Sequence, residues 1–193
     1  MLNAASRVFA ARGTAATLND VARDAGVGIG TVYRKFADKE AVLDALFDEK
    51  VAMLIGFAHE ADAVDDAGAA VRGLLLAVMQ LRATDRGLEA VLTSAGRDVQ
   101  FSEVLGREFI PIVHRLILRA IEAGEIRAEF SADEVCLLGF MVGRVADITH
   151  DQDPDVWRRY AQFLIHGLRP APAHGLPAPL SFADSAIALG RAN

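Results

Sequence analysis

The chain of 193 residues carries one cysteine, one tryptophan and three lysines. A lone thiol, Cys136, closes no internal loop, so a disulfide-stapled scaffold is excluded and a reducing cytoplasm is the expected compartment. No uninterrupted apolar run reaches the length of a membrane-spanning helix. The opening MLNAASRVFAARG lacks the basic stretch and apolar core of a secretory leader. Alternating apolar and polar positions, the mark of a half-buried strand, are missing as well. So are a glycine-rich phosphate loop, a nucleophile elbow and a clustered acid and base, and with them the common signatures of an enzyme. No catalytic residue and no cofactor is expected. Basic charge is also short: 20 Lys and Arg stand against 26 Asp and Glu, a formal net charge of -6. Taken globally, that balance argues against a nucleic-acid partner.

Locally it does not. All three lysines, Lys35, Lys39 and Lys50, lie in the first 50 residues, where seven basic residues balance seven acidic ones. The whole deficit belongs to residues 51–193. Alanine and arginine are abundant, and helix punctuation divides the chain into about nine helical segments, an all-α architecture. The first three, at 2–12, 17–25 and 29–36, end at Gly13, Gly26 and the approach to Asp38. Thr17 with Asp20 reads as a cap for the second. A long fourth helix runs from Asp38 to about residue 61, and a turn follows at 62–68. Further helices are expected at 69–83 and 86–95, then a loop at 96–101. Ser102 caps a helix to 123, kinked or broken at Pro111. Ser131 and Glu134 form a capping box for a strongly apolar helix to 150. Asp153 and Pro154 supply cap and first residue for the last, which stops at Pro170. Four of the six prolines fall in residues 170–193, read as a mostly disordered tail in which 181–189 forms a turn or two of helix on contact.

Two short helices joined by Gly26-Val27-Gly28 make a helix-turn-helix pattern, whose second helix enters a DNA major groove. Thr31, Tyr33, Arg34, Lys35 and Lys39 bring hydroxyls and cations together on and just after that helix. These groups bond phosphate oxygens and, from arginine, guanine edges.

Residues 9–42 resemble the DNA-binding domain of the TetR family of transcriptional repressors. The likeness rests on the Phe9 to Gly13 spacing, Ala25-Gly26-Val27 at the turn, Gly30-Thr31-x-Tyr33-x-x-Phe36, and Lys39-Glu40. It implies three domains: a helix-turn-helix domain at 1–47, a helical effector-binding and dimerisation domain at 48–169, and the tail at 170–193. It also implies that Thr17 caps the second helix and touches phosphate, that Gly28, Ile29, Gly30 and Thr31 open the recognition helix, and that Tyr33 bonds phosphate. Arg34 would reach a base edge or phosphate, and Lys39 would clamp the backbone; Lys35 is left between DNA contact and solvated surface. Gly28 and Ile29 replace the serine and lysine of many relatives, which leaves Ile29 to meet a thymine methyl. The chain opens inside the first helix, without the basic extension common in the family; this implies weaker phosphate affinity or a natural start upstream. Trp157-Arg158-Arg159-Tyr160 and Gly167-Leu168-Arg169-Pro170 are similar to C-terminal helices of actinobacterial members.

The partners so implied are a palindromic double-stranded operator, a small-molecule effector and a second copy of the chain. The dimer interface is expected on the helices of Val135, Leu138, Gly139, Val142 and Gly143 and of Trp157, Tyr160, Phe163 and Leu164. Gly139 and Gly143, four apart, would allow two backbones to approach. Met79, Phe101, Phe109, Val113, His114, Phe140 and Arg144 are candidates for a mainly apolar effector pocket, against the alternative that they are ordinary core. Asp147 and His150 have helical metal-ligand spacing but no companions, so no metal is expected. Cys136, among apolar neighbours, reads as an inert thiol. The resulting function is a dimeric DNA-binding regulator, most simply a repressor released by its effector. The competing readings are an all-helical enzyme, or a dimeric sensor or interaction protein that has lost DNA binding.

Overall fold

Short polar side chains set most of the helix starts. The hydroxyl of Thr17 accepts from the Asp20 N–H at 3.2 Å while the Asp20 carboxylate accepts the Thr17 N–H at 3.1 Å, a reciprocal cap. Asp38 and Asp66 accept from Ala41 and Ala69 at 2.8 and 2.7 Å, and Ser131 pairs with Glu134 in the expected box. The computed structural model describes residues 1–85, 97–171 and 175–191.

Among those residues the chain forms ten α-helices. These are α1 (Leu2–Arg12), α2 (Leu18–Asp24), α3 (Ile29–Lys35), α4 (Lys39–Asp62), α5 (Ala67–Thr84), α6 (Arg97–Glu108), α7 (Ile110–Glu122), α8 (Val135–Thr149), α9 (Trp157–Gly167) and α10 (Phe182–Arg191). No strand occurs among the described residues, and no helix among them is long and apolar enough to cross a membrane.

Helices α1 to α3 and the start of α4 enclose a small core of Ala5, Val8, Phe9, Val21, Val32, Val42 and Leu46. That core continues along α4 into a larger one between α5, α7 and α8, with Leu75, Met79, Leu116 and Trp157 almost fully enclosed. Arg115 and Arg119 of α7 hold the C-terminal end of α4: Arg115 donates to Asp62 at 2.8 Å, and Arg119 donates to the Val64 carbonyl at 2.8 Å. Cations at a helix C-terminus complement its carbonyl dipoles.

Three local expectations change, and the break allowed for at Pro111 is present. Residues 97–101 are helical rather than loop, so α6 starts before Ser102. Pro111 cannot donate to the preceding turn, and the helix breaks at Phe109 into α6 and α7, with the proline in the first turn of the new helix. Asp153 caps only a turn, accepting from Asp155 N–H at 2.9 Å, and α9 starts three residues after Pro154, at Trp157. In the tail, Ser181 caps a helix of ten residues, longer than the turn or two expected there. The helix expected at 86–95 lies outside the described residues.

Candidate nucleic-acid interface

The turn between α2 and α3 is set by Gly26, whose φ of +65 is a left-handed value that a side chain disfavours. Its N–H and that of Val27 return to the carbonyls of Arg23 and Ala22, ending α2. The chain then enters α3 with Val32 facing inward, the sole fully buried residue of that helix. One buried anchor leaves the rest of α3 outside: Tyr33 is 56% and Ile29 37% exposed, and Gly28, Gly30, Arg34 and Lys35 are exposed beside them. Thr31 is half-buried. A Cβ added at Gly28 or Gly30 would meet nothing within 4 Å, so nothing among the described residues calls for bare backbone there.

The charges around this face are sorted. Asp24 is paired with Arg7 at 2.6 Å, and Asp20 with Arg12 at 2.8 Å and with Arg23. The acids of α2 are thus neutralised from behind by α1 and by α2 itself. The hydrogen bond from Thr17, with Arg12 and Arg23 alongside, holds the Asp20 carboxyl below the ordinary carboxylate range. Arg34 and Lys35 enter no ion pair among the described residues; Lys35 Nζ lies 5.5 Å from the Phe36 ring centre. Lys39 sits half-buried over the Phe9 ring, also at 5.5 Å. The face therefore offers a phenol, a guanidinium and an ammonium over bare backbone, the inventory of phosphate and base-edge contacts. Thr17 is placed differently from the rest. Its one hydroxyl proton goes to Asp20 at 2.7 Å, so that side chain has no donor left for a phosphate.

Behind the head formed by α1 to α3, a cleft of about 860 Å³ separates α1 from α4 and α5, lined by Asn3, Ser6, Arg7, Met53 and Thr84 among others. At its base Lys50 of α4 meets Asp85, the cap of α5, at 2.6 Å, and Ser6 of α1 donates to the same carboxylate at 3.2 Å. Three helices from the head and the body share this buried node, which no periodicity in the sequence marks.

The residues expected at a dimer interface divide. Val135, Gly139, Val142, Gly143 and Trp157 are buried within the chain itself, and Leu138 is half-buried. The two glycines face α5: a Cβ at Gly139 would stand 2.8 Å from Val78, and one at Gly143 3.2 Å from the Arg82 carbonyl. Their close approach is intramolecular. Tyr160 and Phe163 point outward with Met141 and Ile148, and line with Phe140, Val145 and Leu164 an open apolar groove of about 420 Å³.

The effector candidates divide likewise. Met79, Phe101, Phe109 and Val113 lie in the interior between α5, α6 and α7. His114 and Arg144 are exposed, and Phe140 lies on the outer groove, so these three do not join the interior set. Asp147 pairs with Arg144 at 3.5 Å, and among the described residues no group of three His, Cys, Asp or Glu side chains gathers. Burial pushes the Cys136 thiol up to about 11.

Comparison with known proteins places residues 1–46 in the family model of bacterial regulatory proteins of the tetR family. Residues 66–170 match that of the C-terminal domain of SbtR-like transcriptional regulators. A search of curated proteins returned no match. Among solved structures, the chain resembles the TetR transcriptional regulator SCO0520 from Streptomyces coelicolor at 25% identity and a TM-score of 0.65, over 88% of this chain and 97% of that one. It shares a fold with FadR, the fatty acid degradation regulator from Bacillus halodurans, at 22% identity and 0.64, over 87% and 97%. The same fold occurs in a FadR from Bacillus subtilis solved with stearoyl-CoA, at 20% and 0.62, over 87% and 97%.

Proposed function

The chain belongs to the TetR family of bacterial regulatory proteins, and from that premise we propose that it works as a dimeric repressor of transcription, released from a palindromic operator by a small molecule. The observation that carries this reading is the outer face of α3, where one buried valine turns Ile29, Tyr33, Arg34 and Lys35 to solvent around bare backbone. Tyr33, Arg34, Lys35 and Lys39 contact phosphates or base edges, and Ile29 offers an apolar surface to a thymine methyl. Gly28 and Gly30 let the backbone come close. Thr17 acts by capping α2.

A two-fold site needs two such heads about one turn of DNA apart. The groove of Phe140, Met141, Tyr160, Phe163 and Leu164 is the surface that supports a second copy, packing α8 and α9 against their equivalents as a four-helix bundle. Arg159 stacks on Phe163 at 5.0 Å and keeps that ring presented. The effector lies between α5, α6 and α7 against Met79, Phe101, Phe109 and Val113, which favours a ligand with an apolar body; the stearoyl-CoA held by a protein of the same fold has one. Its effect depends on tighter binding to the conformer whose heads no longer match the operator, because equal affinity for both shifts nothing.

Selection of duplexes from random DNA by the purified protein tests the reading. Enrichment of inverted repeats, with affinity falling as salt rises, supports it. A folded protein that retains no DNA at low salt overturns it.

A further inference from the structure

Residues 175–191 lie beyond the family model of the C-terminal domain, yet the helix among them packs against the body. Leu176 and Leu180 are exposed along the approach, in a stretch with Pro177 and Pro179. Ser181 then starts α10, its hydroxyl accepting from Asp184 N–H at 3.1 Å. The helix lies against α6 and the turn at Ala132–Glu134. Phe182 is half-buried, and its ring would be 3.7 Å from a Cβ at Gly106 of α6. One turn on, Ser185 is 1% exposed and its hydroxyl has no hydrogen-bond partner among the described residues.

A buried hydroxyl without a partner opposes docking, and a single ring favours it, with effects of similar size. A helix of ten residues is marginal in water on its own. From this balance we infer that residues 175–191 form a strap that closes the outer wall of α6 and opens at little cost. The inner side of that wall carries Phe101 and Leu105, and Phe101 belongs to the interior set proposed above for the effector. The strap is therefore a latch on the wall of that interior, and its unpaired Ser185 hydroxyl is what keeps the latched state marginal. Only this purpose rests on the effector reading; the docking equilibrium does not, so an effector that is never found leaves the test below intact.

Hydrogen exchange of the full-length protein reads docking directly, because the amides of α10 are protected only while it is held as a helix. Phe182→Ala is expected to raise exchange across 185–190 at least tenfold, and Gly106→Leu, which fills the place of the ring from the other side, to do the same. Ser185→Ala removes the unpaired hydroxyl and is expected to slow exchange there by tenfold or more. Helices α1 to α4 should exchange as in the parent in all three variants. The inference is overturned by unchanged α10 exchange in Phe182→Ala and Gly106→Leu, by faster exchange in Ser185→Ala, or by loss of protection that spreads to α1–α4.

Discussion

Removing either member of the Lys50–Asp85 pair should destabilise the protein far more than removing any ion pair on its surface. The two groups are 2.6 Å apart with side chains 9% and 14% exposed, and Ser6 donates to the same carboxylate. Taking one partner from a buried pair strands the other, at a cost of about 3–5 kcal/mol. Glu49 lies 3.5 Å from Lys50 and Asp85 retains some solvent, which places Asp85→Ala at the lower end, near ~3 kcal/mol or about 150-fold in the folding equilibrium. Lys50→Met should cost a similar amount. Lys50→Met combined with Asp85→Leu strands no charge, and should return to within about 1 kcal/mol of the parent. Urea unfolding at one fixed protomer concentration measures all of these. With a slope of about 2.5 kcal/mol per molar, the single variants should shift the midpoint by roughly 1 M. That shift should persist in high salt, because an enclosed pair is little screened. Single variants within about 0.5 kcal/mol of the parent, or a double variant that costs the sum of the singles, would refute the reasoning.

Four further outcomes follow from individual contacts. Asp20 is held below its ordinary value of 3.8, so its contribution to stability is complete above that value and is lost as pH falls through the lower value of the folded protein. Asp20→Asn should flatten the acid side of the melting-temperature profile, and an unchanged profile would place the carboxylate outside the cap. Lys39→Ala should reduce the salt slope of DNA binding by about one unit with the selected sequence unchanged, since each phosphate neutralised contributes about that much; an identical slope removes Lys39 from the interface. Gly143→Val should cost about 1–3 kcal/mol by crowding the Arg82 backbone, equally at all protomer concentrations; a loss that disappears on concentrating the protein would return that glycine to a subunit interface. Cys136, its thiol pushed up to about 11, should react with a disulfide reagent at pH 8 roughly 100-fold more slowly in the native than in the unfolded protein. Equal rates would mean that α8 opens freely.

Much of the head was legible because its signals are local. The Thr17 and Asp20 cap and the glycine turn at Gly26 each act within one or two turns of helix. That Val32 is the inward position, which turns Tyr33, Arg34 and Lys35 outward, came from packing and was not read from the sequence. Ser131 with Glu134 and the break at Pro111 belong to the same class. The helix at 97–101 and the late start of α9 escaped that reading: polar residues near a helix end suit a cap and a loop equally, and packing chooses between them.

The caps at Thr17, Asp38 and Ser131 and the break at Pro111 could be read from the residues alone, because capping and proline geometry act over a few residues and hardly depend on the rest of the chain. Packing alone settled which way α8 faces. That helix is apolar on nearly every side, so its periodicity carries no direction, and Gly139 and Gly143 turned toward α5 while Met141 and Ile148 turned to solvent. The same holds for Lys50, which looks like any surface lysine until a carboxylate 35 residues away closes over it. A charge can be buried only where its partner is delivered, and that delivery is a property of the packed helices.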